Sequence, residues 1–292
     1  MVFLDFESLR KTRATNPGEL ARVYANRKRR EIIQGDGKLF IIAADHPARN
    51  ALAVRDNARA MENRYELLEH LATALSNPGC DGVLGTPDII DDLALLGCLE
   101  GKIVVGSVNR GGLRGSSFEM DDRITAYDID GIVRDNLDFA KMLNRVNLSD
   151  AGTSQMMTYT HQVVSQAAAA KLPIMLEPFM SEWVDGSIKN DLSTDAVINS
   201  VAVASGLGNS SAYTWMKLPV VANMARVMEA TTLPTLLLGG DPVGDEKETF
   251  ASWESALELP GVRGLVIGRS LLYPQDGNVA AAIDTAVKLV HG

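Results

Sequence analysis

Cysteine, histidine and aromatic residues are all scarce in this 292-residue chain. There are two cysteines, four histidines and 5% aromatics. Cys80 and Cys98 are too few for a disulfide framework, and neither lies in a metal-type spacing. Both read as small core residues. Positive charge is not in excess: the formal net charge is −9, which argues against a nucleic-acid or anionic-membrane footprint. No apolar run reaches the roughly 18 residues of a membrane span, and the N-terminus lacks a basic stretch followed by a long apolar one. These absences point to a cytoplasmic protein with neither a membrane nor a nucleic-acid partner.

What is present is a regular alternation. Short apolar runs at Leu39–Ala44, Gly82–Gly85, Ile103–Ser107, Leu143–Leu148, Ile174–Glu177, Tyr213–Leu218, Thr235–Leu238 and Leu265–Ile267 read as strands. Several are apolar without strict alternation, as in parallel strands covered on both faces. Amphipathic stretches at Asn57–Leu75, Thr153–Lys171, Thr194–Ser205, Ala222–Ala230, Thr249–Leu257 and Val279–Val290 read as helices. Eight strand–helix units predict an α/β fold of the (β/α)8 TIM-barrel type, with an open doubly wound sheet as the alternative. Residues 38–290 form the barrel in this reading. Residues 1–37 add an N-terminal helical extension, Pro17–Ile33, over the barrel bottom, and the whole of 1–292 is one domain. The polar stretches Asn109–Asp122, Ser181–Ser193 and Gly240–Lys247 follow strands, where a barrel places its chemistry.

The strand ends carry the candidate residues. Lys217 stands in the apolar run Thr214-Trp215-Met216-Lys217-Leu218. Buried lysines are rare unless paired or used. Burial lowers a lysine pKa, and a neutral amine on a rigid strand can attack a carbonyl. Asp45 follows the first strand directly and reads as a proton-handling carboxylate beside that amine, or as a cap. His46 reads equally as site wall or structural histidine. Arg145 and Asn147 share a face by the strand period of two. If that face is interior, Arg145 needs an anion, either a substrate or a structural partner. Glu177 ends the fifth strand as a candidate acid/base or ion-pair partner, and Pro178 marks where the ladder stops. Gly239-Gly240 and Gly268-Arg269 end the last two strands, where barrels commonly hold phosphate. The Asn109–Gly115 loop reads as a cover for an anionic substrate or as a plain surface loop.

Taken together, these residues resemble the class I aldolases of the deoxyribose-phosphate, tagatose-bisphosphate and archaeal-type fructose-bisphosphate superfamily, over roughly residues 38–290. The resemblance implies a Schiff-base Lys217, an assisting Asp45, a Glu177 acid/base and a basic Arg145 on the fourth strand. It also implies a phosphate grip at Gly239, Gly240, Gly268 and Arg269, with His46 and Asn147 toward substrate. The sequence departs from the family at His46-Pro47, where His-Gly is more familiar. Arg145 stands where a lysine is usual in the tagatose enzymes. The implied activity is a metal-independent aldehyde-lyase with no cofactor, acting on a phosphorylated keto sugar or keto sugar acid in carbohydrate or inositol breakdown, in a homo-oligomer. The alternatives are a metal-assisted lyase or epimerase using Asp45, His46 and Glu177, and a sugar-phosphate-binding barrel without turnover.

Overall fold

The structure, a computed structural model, describes residues 4–240 and 246–292. Eight parallel strands close on themselves: β1 Leu39–Ala43, β2 Gly82–Gly85, β3 Ile103–Ser107, β4 Phe139–Val146, β5 Ile174–Val184, β7 Thr214–Pro219, β8 Thr235–Leu238 and β9 Val262–Ile267. The ring joins where β1 pairs with β9 and where β4 pairs with β5. Helices α3 Arg64–Ser76, α4 Pro87–Leu95, α5 Ile129–Arg134, α6 Gly152–Ala169, α7 Thr194–Ser205, α8 Met224–Met228, α9 Glu246–Leu257, α10 Arg269–Leu272 and α11 Val279–His291 surround it. This is the expected (β/α)8 barrel.

Strand alternation divides two cores. Leu39, Ile41, Val105, Phe139, Met175, Leu236 and Val266 fill the barrel interior, with Trp215 packed against them. Phe40, Ile42, Val104, Ala140, Leu176, Met216 and Leu265 face the helices. Both faces of each strand are therefore covered, which explains the unbroken apolar runs. Phe139 and Trp215 meet edge-to-face at 5.4 Å between centroids and form part of the interior's aromatic floor.

Four expectations about the elements need correction. The fourth strand starts at Phe139, four residues before the expected Leu143, and ends at Val146. Asp138 and Lys141 diluted its apolar signal, while Leu148 has left the sheet and is 86% exposed. The fifth strand does not stop at Pro178. Its pairing with β7 ends at Leu176, as a residue without an N–H suits, but its pairing with β4 continues to Met180. Beyond the ring, β5 turns back as a hairpin with β6, Ser187–Asp191. The connection is Asp185-Gly186, both at positive φ, the turn that suits the right-handed strand twist. The polar stretch Ser181–Ser193 is thus mostly a hairpin. Of the expected loop Gly240–Lys247, residues 241–245, including Asp241-Pro242, lie outside the described residues.

The N-terminal extension is two helices, α1 Phe6–Thr15 and α2 Glu19–Asn26, in place of the one expected over Pro17–Ile33. From Arg27 the chain crosses the barrel bottom as an irregular segment. Arg27 and Arg29 bind Asp138 at 2.8 and 2.7 Å, and Arg30 binds Asp81 at 2.5 Å. Those aspartates immediately precede β4 and β2, and they also accept from the N–H groups of Val104 and Phe40. Ile32 packs against the interior core from below.

At the same end, His291 of α11 lies 2.7 Å from Asp36 and 3.2 Å from Asp81. The carboxylates of Asp81 and then Asp36 beside the ring outweigh burial and raise its pKa to about 9. A raised histidine pKa contributes stability that is fully present below the unfolded pKa of about 6.5 and is lost as pH rises through the folded value. The melting temperature of His291→Gln should therefore lie a few degrees below wild type near pH 6, and the gap should close toward about pH 10. Thermal melts across that range check this; a gap independent of pH would contradict it.

Candidate active site

The inward-facing positions of β4 run Phe139, Lys141, Leu143, Arg145, and those of β5 and β7 are Met175, Glu177, Phe179 and Trp215, Lys217. One layer above the aromatic floor this places Lys141, Glu177 and Lys217 together. Asp45, two residues past Ala43 at the end of β1, completes the group. All four side chains are buried. Lys217 Nζ lies 2.5 Å from Glu177 Oε1, Lys141 Nζ lies 2.6 Å from Glu177 Oε2, and the same Nζ lies 3.0 Å from Asp45 Oδ2. Two ammoniums and two carboxylates form a chain in the order Asp45, Lys141, Glu177, Lys217. Buried charges need such pairing, because each alone would lose its hydration without return.

The two lysines differ electrostatically. Burial opposes charge on both, but Lys141 touches two carboxylates and its pKa is raised. Lys217 touches one, and burial holds it below the ordinary lysine range, with Lys141 adding repulsion against the pull of Glu177. Burial alone would raise Glu177; Lys141 and then Lys217 bring it down to about 2. Asp45 goes further down, since the opposing pull of Lys141, then of Lys217 and Arg49, exceeds its burial. The result is one fixed cation, two fixed anions and one lysine that gives up its proton more readily than a free one.

His46 begins a short 3-10 turn, Pro47–Arg49, and its Nδ1 lies 3.9 Å from Asp45 Oδ1. Burial, then the charge of Arg269, holds it well below the usual histidine range, so it is neutral. Its Cε1 lies 2.9 Å from where a Cβ on Gly268 would stand, and the Ala43 carbonyl is closer still, so only glycine fits there. Gly239 and Gly240 end β8, adjacent to Gly268 and Arg269 at the end of β9. Gly240 adopts a φ of +67°, which glycine tolerates best, and the space beside it is open. Arg269 is buried, and burial, then the neighbouring cations Arg49 and Arg114, lower its pKa to about 10. The Gly-rich ends and Arg269 thus share one rim of the barrel mouth.

Arg145 and Asn147 take other places. Arg145 is buried two inward positions above Lys141 on β4, with Nη2 2.6 Å from Asp122 Oδ1, Nε 3.1 Å from Asp122 Oδ2, and a further bond to the Glu119 carbonyl. Its partner is the end of the loop after β3, and Asp45 is paired with Lys141 instead. Asn147 lies past the end of β4, so the period of two no longer holds. Its backbone N–H and C=O both bond Thr153 in the first turn of α6, and its side chain accepts from Ser149. The basic residue that β4 sets beside Asp45 and Glu177 is Lys141, the one that sequence reasoning missed. Stepping back two pleats from Arg145 would have reached it, as would its likeness to Lys217: a lone lysine in an apolar strand. The ligand set Asp45, His46 and Glu177 is not assembled as such, because both carboxylates are engaged by lysine ammoniums.

Comparison with known proteins agrees with this architecture. The crystal structure of Cgl0159 from Corynebacterium glutamicum is 67% identical, with a TM-score of 0.96 over 98% of this chain and 96% of that one. A structure of a Schiff-base-forming fructose-1,6-bisphosphate aldolase is 18% identical, with a TM-score of 0.65 over 93% and 99% of the two chains. An archaeal fructose-1,6-bisphosphate aldolase, with its catalytic lysine bound to the carbinolamine of its substrate, also matches at 18% identity and a TM-score of 0.65, over 94% of this chain and 100% of that one. These two distant likenesses are likenesses of fold. No match is found among curated proteins. Residues 37–287 match the Cgl0159-like family, and the chain belongs to that family, built on the same barrel as the class I, Schiff-base-forming aldolases.

Proposed function

We propose that this chain is a class I aldolase-type carbon–carbon lyase that acts through a Schiff base on Lys217, on a phosphorylated keto sugar or keto sugar acid. The observation that supports this best is the chain of four buried charges, in which one lysine has a lowered pKa and the other does not. A lysine held merely as an ion-pair partner gains nothing from a second ammonium nearby. A nucleophile does, because repulsion favours its neutral form.

In the proposed reaction, Lys217 transfers a proton to Glu177, 2.5 Å away, and its neutral amine attacks the ketone. The carbinolamine then loses its hydroxyl as water. The departing hydroxyl takes up the proton that Glu177 received from Lys217, which returns Glu177 to its carboxylate form, and Asp45, with Lys141 between it and Glu177, stabilises the cationic imine that forms. The resulting protonated imine is the electron sink. Glu177 removes the hydroxyl proton, the carbon–carbon bond breaks toward the imine, and an aldehyde leaves with an enamine still on Lys217. Protonation of the enamine and hydrolysis return the amine. Glu177 has a pKa of about 2 beside two cations, and it becomes more basic when Lys217 loses its proton, because one neighbouring charge is gone. Gly239, Gly240, Gly268 and Arg269 hold the phosphate, which fixes the carbonyl beside the amine. The metal-assisted alternative has no role in this sequence of steps.

Borohydride reduction in the presence of dihydroxyacetone phosphate, followed by mass spectrometry, should leave a covalent adduct on Lys217, and Lys217→Ala should give neither adduct nor cleavage. Glu177→Gln should lower turnover by about 10²–10⁴-fold while still forming adduct. An active Lys217→Ala enzyme would refute the mechanism. The pH dependence of imine formation tests the second lysine. The rate should rise with pH through an apparent pKa below the ordinary lysine value of about 10.5. Lys141→Met removes a repulsive charge, so it should move that limb to higher pH; an unmoved limb would remove Lys141 from the mechanism.

A further inference from the structure

The loop after β3 comes back over the barrel mouth, and the steps above give it no part. Buried bonds fix its base. Asn109 Nδ2 donates to the Asp122 and Leu143 carbonyls at 2.6 and 2.8 Å, and Leu143 N donates to Asn109 Oδ1 at 2.8 Å. Leu143 is the inward position of β4 next above Lys141, and it packs with Phe179 and Leu238. Gly111 sits on this apolar group: a Cβ there would stand 3.1 Å from Leu143 Cδ2 and 3.2 Å from Arg145 Nη2. The loop therefore covers part of the layer directly above the four charges, where Lys217 is 6% exposed.

The tip is attached differently. It reaches back past β2, which stands between β3 and β1, and lies on the turn after β1. Arg110 Nη1 donates to the Ala48 carbonyl at 3.2 Å, Arg114 N donates to the Arg49 carbonyl at 2.9 Å, and Asn50 Nδ2 donates back to the Arg114 carbonyl at 3.3 Å. That turn in its turn abuts the end of β9. The Ala43 carbonyl and His46 Cε1 stand 2.3 and 2.9 Å from where a Cβ on Gly268 would be. Three segments thus meet at the Gly268-Arg269 rim: the end of β9, the Pro47–Arg49 turn and the loop tip with Arg114. After burial, the charges of Arg49 and Arg114 weigh most on Arg269. Guanidiniums so placed repel one another, and a shared anion relieves this.

We propose that Arg49 and Arg114 complete the phosphate grip with Arg269, and that the phosphate so bound latches the loop after β3 over the site. This rests on the phosphate rim of the aldolase reading and adds two residues and a consequence to it. Arg49 belongs to the barrel wall and is always at the rim. Arg114 reaches the rim from the docked tip alone. A ligand shifts a conformational equilibrium by its differential affinity for the two states, and Arg114 supplies that difference. The preferred anion follows as well. A phosphate monoester offers three oxygens and up to two charges to the guanidinium forks, where a carboxylate offers two oxygens and one charge. A phosphate remote from the reacting carbon thereby helps close the site around it.

The test reads binding and loop motion apart from turnover. Inorganic phosphate and acetate are titrated into the full chain by calorimetry, and amide hydrogen exchange of residues 110–118 is followed with and without phosphate. Wild type should bind phosphate at least about 10-fold tighter than acetate, and phosphate should slow exchange of the loop tip. Arg49→Ala and Arg114→Ala should each weaken phosphate binding by about 10–100-fold. Arg114→Lys should keep part of the affinity, since it keeps the charge without the fork. Arg114 is exposed and docks through its backbone, so the unliganded loop of Arg114→Ala should exchange as in wild type. At saturating phosphate, that variant should lack the protection that wild type gains. Unchanged phosphate affinity in Arg114→Ala, or protection that survives in it at saturating phosphate, would overturn the proposal. A wild type without preference for phosphate over acetate, or without slowed exchange, would do the same. The aldolase reading stands or falls separately: latching by phosphate in a protein that forms no adduct on Lys217 refutes that reading and supports the latch.

Discussion

Everything around the mouth of this barrel depends on one shared carboxylate. Glu177 uses one oxygen for each lysine, and it can do so only because β4, β5 and β7 present Lys141, Glu177 and Lys217 on one layer of the interior. Shift any of these strands by one residue and its charged side chain would face the helices, where no partner waits. Burying four charges is unfavourable in itself. The barrel meets that cost with geometry: the group is electrically balanced, each ammonium has a carboxylate, and the aromatic pair below it lies on the same inward faces. The asymmetry between the lysines comes from connectivity alone. Lys141 is interior to the chain of charges and Lys217 is at its end, so the same burial produces a permanent cation in one place and a dischargeable amine in the other.

The two ends of the barrel divide the work. At the bottom, arginines of the N-terminal segment meet aspartates that precede the strands, in pairs that also satisfy strand-end N–H groups. These contacts are local, complete and far from the mouth. At the top, the guanidiniums of Arg269, Arg49 and Arg114 lie close enough to repel one another. Such repulsion is what an anion can relieve, and it sits where barrels place chemistry.

Much of this was legible in the sequence. Seven of the eight barrel strands begin within a few residues of where the apolar runs put them, and the lysine in an apolar run does face the interior beside Glu177. What escaped has physical causes. A charged residue inside a strand weakens the apolar signal, so Lys141 hid the start of β4 and itself with it. The Asp185-Gly186 turn was visible, but flanking polar residues made its hairpin look like a loop. The pairing of Arg145 with Asp122 joins positions 23 residues apart across an irregular loop, and no periodicity reports such a contact. Asn147 was placed by extending a strand period one residue too far. Local pattern, in short, reveals faces and spacing, whereas partners are decided by which loops come back.

The seam of the ring carries a consequence for how the chain is made. β1 pairs with β9 over Leu39–Ile42 and Gly264–Ile267, and Gly264, at a φ of +128°, lets the Leu39 backbone approach closer than any side chain would allow. Ring closure thus joins residues near the two ends of the sequence. During synthesis, Asp45, Lys141, Glu177 and Lys217 all emerge from the ribosome before the strand that completes the wall around them. The burial that sets the two lysines apart therefore exists only once the ring is closed, and the electrostatic character of Lys141 and Lys217 is a property of the whole ring and not of the strands that carry them.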